Sequence, residues 1–108
     1  MSETLQSQIQ PYRIPPQLIE GWTSIHDDAP VSLRFTKGDL DALFFAFAHI
    51  VRAQSEFQGA VVELSNGRAE AASIQMAEST RWLSTADDNF RRFFTAVMAS
   101  AVTGGAGA

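Results

Sequence analysis

The chain contains no cysteine, only one lysine, and no proline after Pro30. Without thiols there is no disulfide framework, no thiolate zinc site and no cysteine nucleophile, and the compartment stays open because such a chain tolerates reducing and oxidising surroundings alike. A single Lys37 among eight basic residues, with Arg91-Arg92 the only adjacent basic pair, offers no stripe able to displace counterions from phosphates. Nucleic acid is therefore not an expected partner. The longest apolar run, Ala42 to Val51, is ten residues and includes His49, well short of the ~20 a membrane span requires. The amino terminus lacks the basic and apolar regions of a signal peptide. The expectation is a soluble chain of 108 residues with room for one small domain and a formal net charge of -4.

What is present divides near residue 36. All four prolines (Pro11, Pro15, Pro16 and Pro30) precede it, so residues 1–35 are expected to form an extended arm, since proline fixes its own backbone and pushes its predecessor toward extended geometry. Within the arm Val31, Leu33 and Phe35 alternate with Ser32 and Arg34, the period-two pattern of a short strand-like segment, 31–35, with one buried face. Leu18, Ile19, Trp22 and Ile25 suggest one or two helical turns or a set of anchoring side chains.

Thr36 and Asp39 spell a capping box that opens a helix over about 37–65. Leu40, Phe47, Gln54 and Val61 recur every seven residues, as do Leu43, Ile50, Phe57 and Leu64, so these two rows are expected to form an a/d seam burying Phe57, with Ala46, Ala53 and Ala60 beside it. Ser65-Asn66-Gly67 is the stop. A second helix is expected over 69–102, with Met76, Leu83, Phe90 and Val97 seven apart and Ala72, Ser79, Ala86, Phe93 and Ser100 in the other phase. Ser84-Thr85-Ala86-Asp87 also resembles a capping box, which allows a break near Ser84; the unslipped phase of Met76, Leu83 and Phe90 favours continuity. Residues 103–108 read as a flexible Gly/Ala tail. The fold class is all-α: an N-terminal arm followed by an antiparallel hairpin of two long helices.

This hairpin leaves apolar residues off its expected seam. Phe44, Phe45, Val51, Val62, Ile74, Trp82, Phe94 and Met98 would meet water in a two-helix layer, which implies that the arm or another molecule covers them. Together with Trp22, Val31, Leu33 and Phe35 of the arm, Phe44, Phe45, Val51, Trp82, Phe94 and Met98 are the candidate protein-interaction residues. Val97, Met98, Ala101 and Val102 overhang the hairpin and need the same cover. His26-Asp27-Asp28 holds metal-ligand residue types but reads as a polar turn before Pro30, and His49 falls outside the expected seam as a solvated side chain. No motif for a nucleophile, an acid/base pair or a phosphate loop occurs, so no catalytic, metal or cofactor residue is assigned.

In architecture, residues 36–102 resemble the WXG100 secreted proteins and the needle subunits of type III secretion systems, although the turn has neither Trp-x-Gly nor proline. An arm joined to a helical hairpin is similar to small structural proteins of phage particles. The expected function is a non-enzymatic assembly subunit, homo-oligomeric or part of a larger particle such as a phage virion, acting through the seam and an N-terminal strap. The alternatives are a chaperone or adaptor holding a partner helix beside Phe44, Val51 and Trp82, and an accessory subunit of an enzyme.

Overall fold

The computed structural model describes residues 12–107, with side chains through residue 103. Three helices follow in order: α1 (Pro16–Thr23), α2 (Lys37–Ser65) and α3 (Ala69–Gly107). No strand occurs among the described residues.

Each helix starts and stops for local reasons. Pro16 sits in the first turn of α1, where its missing N–H removes no bond. At the start of α2 the Asp39 N–H donates to Thr36 Oγ1 at 3.1 Å and the Thr36 N–H to Asp39 Oδ2 at 2.9 Å, completing the capping box. At its end Gly67 takes φ +78°, its N–H donates to the Leu64 carbonyl and the Arg68 N–H to the Glu63 carbonyl. That is a Schellman closure, and it needs a residue without Cβ at this φ. The turn sends α3 back antiparallel to α2.

The helices meet along their smallest side chains. Ala46, Ala53 and Ala60 of α2 are at most 3% exposed, and Ala72, Ser79 and Ala86 of α3 are at most 5% exposed. Close approach is recorded directly by the Ser79 hydroxyl, which donates to the Ala53 carbonyl across the interface at 2.8 Å. On α2 the expected a/d rows are therefore not the seam, whereas on α3 the expected row of Ala72, Ser79 and Ala86 is. Leu40, Phe47, Phe57, Val61 and Leu64 are 37–63% exposed, and no large side chain is fully buried among the described residues. Two helices can bury only a narrow line between them; small residues on that line shorten the interhelical distance and push the bulky rows to its flank.

One further expectation changes, and the favoured continuity of the second helix through Ser84 holds. The tail continues α3 to Gly107 instead of leaving the helix at 103; Ala108 lies outside the described residues. There is no break near Ser84: the Thr85 hydroxyl bonds the Arg81 carbonyl inside a continuous helix. The ion pairs Asp87–Arg91 (2.9 Å) and Asp88–Arg92 (3.0 Å) form one turn apart as the spacing implies.

Beyond the seam, α3 runs past the start of α2, and the arm folds onto this overhang. A Cβ at Gly21 would stand 3.0 Å from Val102 Cγ2, so α1 crosses α3 at a glycine, and Ala101 is left 1% exposed. Residues 31–35 carry no strand: with no neighbouring strand, the segment is fixed through the Ser100 hydroxyl, which accepts from the Arg34 N–H and donates to the Ser32 carbonyl. Phe35 packs on Phe93 at 5.2 Å, whereas Val31 and Leu33 are 38% and 46% exposed and share no buried face with it. At the N-terminal limit of the described chain, the Tyr12 N–H donates to Asp88 and its ring lies 4.5 Å from the Arg92 guanidinium. The expected extended arm is thus partly helical, and residues 12–35 brace their own α3. Residues 1–11 lie outside the described residues.

Candidate protein-interaction surface

The small-residue seam divides the hairpin into two flanks of unlike chemistry. On the first, His49 of α2 packs on Trp82 of α3 at 5.1 Å, Phe45 stacks on His49 at 6.4 Å, and the guanidinium groups of Arg52 and Arg81 lie 5.5 and 5.9 Å from the Trp82 ring. Ion pairs Arg52–Glu56 and Arg81–Glu78 border the cluster at 3.3 and 3.5 Å. Here the hairpin covers its own aromatic: Trp82 is half-buried, capped by cations that are attracted to its face. Farther along, the Gln75 amide lies where Gly59 leaves room, 2.7 Å from where a Cβ would be. His49, expected in water, is half-buried in this cluster.

The second flank is open. Phe47 meets Phe90 edge-on at 5.5 Å and Phe90 stacks on Phe94 at 6.0 Å, yet Phe47 stays 54% and Phe94 45% exposed. Nearer the turn Phe57 (48%), Leu64 (63%), Met76 (42%) and Leu83 (50%) continue the surface, and Phe44 (61%) and Val51 (64%) widen it along α2. With Leu40 and Val61, ten large apolar side chains are about half exposed; at ~200 Å² for each when bare, they present about 1,000 Å² of apolar surface. A monomer's largest apolar patch is ordinarily ~300–600 Å². Between residues 40 and 64, α2 places no charged group on this flank, its polar members being Gln54 and Gln58. Those two, with Ala53, Phe57, Ser79 and Leu83, line a hollow of about 470 Å³ midway along it.

The sequence candidates distribute unevenly over these surfaces. Phe44, Val51 and Phe94 belong to the open flank. Phe45 and Trp82 stand on the opposite, polar flank, so the groove beside Phe44, Val51 and Trp82 does not exist. Trp22 is 36% exposed on α1, Phe35 is half-buried against Phe93, and Met98 is half-buried on the overhang. Val62 and Ile74 point away from the seam, 56% and 62% exposed. Phe47, Phe57, Leu64, Met76 and Leu83, expected in the seam, are instead the body of the open surface. The alanine rows carry the signal for this: Ala60 and Ala72 lie equally far from Asn66 in sequence, as do Ala53 and Ser79, and Ala46 and Ala86.

His26, Asp27 and Asp28 form the polar turn, with the Asp28 N–H donating to His26 Nδ1 at 3.1 Å. Among the described residues no three His, Asp or Glu side chains gather as metal ligands, and no helix is long and apolar enough to cross a membrane. Trp22, Ile25, His26 and Val31 border a second hollow of about 420 Å³ beside α1, open to solvent. Comparison with protein families, characterised proteins and solved structures gives no match.

Proposed function

We propose that the protein is a non-enzymatic assembly subunit whose open flank is covered by protein in its working state. The supporting observation is the flank of Phe44, Phe47, Val51, Phe57, Leu64 and Leu83, each 48% or more exposed on a hairpin that has already closed its seam elsewhere. At ~25 cal/mol per Å², leaving ~1,000 Å² of apolar surface in water forgoes a free energy larger than the stability of many domains. A virus-like particle, with a phage as the expected setting, is the context in which such a braced hairpin serves as a repeated part. The arm acts as a strap within its own subunit, holding the overhang of α3 so that the flank stays straight.

Because the chain has no cysteine, single thiols report cover directly. In cells producing the protein, Val51→Cys is expected to resist a membrane-permeant maleimide, while Arg81→Cys, exposed on the polar flank of α3, reacts freely. Equal labelling at both positions would show the flank in water and end the assembly reading.

A further inference from the structure

Resting on that reading, we propose that the occupant of the open flank is a second copy of this chain, laid antiparallel across it to make a four-helix bundle with a two-fold axis near Gln54.

Four features support a second copy. The ~1,000 Å² exposed by the flank matches the ~800 Å² per partner of a standard stable interface. On this face α2 carries no charge from residue 40 to 64 and α3 carries Asp87 paired with its own Arg91 at 2.9 Å, which suits a copy of itself: an isologous contact opposes each patch to the same patch, and unpaired charges of one sign would repel. The hollow lined by Ala53, Gln54, Phe57 and Leu83 lies near the middle of this stretch. A two-fold axis passing there sets Gln54 beside the partner's Gln54, where two amides can satisfy each other, and presents each copy's Phe57 or Leu83 to the other's hollow. One polar residue in an otherwise apolar row is a device that fixes helix register.

Orientation follows from how side-chain size is graded along the flank. Rings cluster at the end away from the turn, at Phe44, Phe47, Phe90 and Phe94, whereas Val61, Leu64 and Met76 occupy the turn end. Antiparallel pairing sets rings against aliphatic side chains, an alternation of large and small that packs densely. Parallel pairing would crowd eight rings at one end and leave a thin gap at the other. It would also bring together the two braced overhangs, each widened by α1; antiparallel pairing keeps them at opposite ends.

The full-length purified chain at tens of micromolar is expected to sediment at twice 11.8 kDa. On mild oxidation Gln54→Cys should cross-link to itself. Leu64→Cys should not, but should cross-link to Phe44→Cys in a mixture of the two variants. A monomeric purified chain whose Val51→Cys thiol is nevertheless protected in cells overturns the second copy and leaves the assembly reading standing; a monomer with that thiol reactive overturns both. A dimer in which Leu64→Cys links to itself and Gln54→Cys does not overturns the antiparallel arrangement. A dimer that persists in Val51→Asp is made by another face and overturns the proposal.

Discussion

At the scale of the residue, the molecule turns on side chains that are small. Ala53 is 2% exposed and receives the Ser79 hydroxyl at its carbonyl, so any larger group there must separate the helices. Ala53→Leu is expected to lower stability by ~2–3 kcal/mol in urea unfolding, the range for overpacking a close contact. Ser79→Ala should cost ~1 kcal/mol, because it removes a buried hydrogen bond while leaving the Ala53 carbonyl its helical partner. Ser84→Ala, on an exposed stretch of α3, should fall within ~0.5 kcal/mol of the parent. If Ala53→Leu were as neutral as Ser84→Ala, the alanine rows would not be the seam. Gly59 and Gly21 also act by being small, the first admitting the Gln75 amide and the second Val102.

At the scale of the element, the turn and the arm each bear a test. Arg68 reaches back over the turn to hydrogen-bond Glu63, its second guanidinium nitrogen 3.3 Å from Glu63 Oε1, and this hydrogen bond holds the Glu63 carboxyl below the ordinary glutamate range. A depressed folded pKa means that the pair stabilises the turn above the unfolded value and that this is lost as pH falls through the folded value. Both groups are on the surface, where such pairs contribute little. Carboxyl-carbon NMR should therefore find Glu63 titrating below its ordinary value, with Arg68→Ala raising it; no change on substitution would remove Arg68 as the cause. For the arm, deletion of residues 1–35 uncovers Ala101 and Val102. Amide exchange should then quicken over residues 98–103 and stay unchanged over 69–86, because that half of α3 is held by α2 alone. Loss of protection across both long helices would make the arm part of the main core.

These elements were legible in the sequence to different degrees. Both long helices could be placed from Thr36, Asp39 and the Asn66-Gly67 stop, because caps are local chemistry. Seam choice was not local. Three rows on α2 repeat every seven residues, and hydrophobicity favours Leu40–Val61 and Leu43–Leu64 over the alanines; the choice depends on how closely two backbones approach, which Ala72, Ser79 and Ala86 on the other helix decide. Val31 and Leu33 were misread for a similar reason, since alternation fixes a common face only where a sheet or core exists to receive it. Trp82 was grouped with Phe44 and Val51 by hydrophobicity alone, and it is the contacts with His49, Arg52 and Arg81 that place it on the other flank.

At the scale of the whole molecule, the accessible surface of 7,904 Å² exceeds the ~5,900 Å² of a folded monomer of this mass, and the body extends 60 × 35 × 25 Å. Such a shape has little interior, and it leaves Phe44, Phe47, Val51, Phe57 and Leu83 exposed. Two rows only two residues apart on α2 are opposite in exposure, Ala53 closing the hairpin at 2% and Val51 facing outward at 64%, and on the proposed function the outward row meets protein. Placing one charge in each row tests this contrast most directly: Val51→Asp and Ala53→Asp, each measured by circular dichroism and sedimentation velocity. Val51→Asp is expected to keep the parent's helicity and to sediment at 11.8 kDa where the parent is larger, whereas Ala53→Asp loses its helicity because the seam has no room or partner for a carboxylate. An unfolded Val51→Asp beside a folded Ala53→Asp would reverse the two rows.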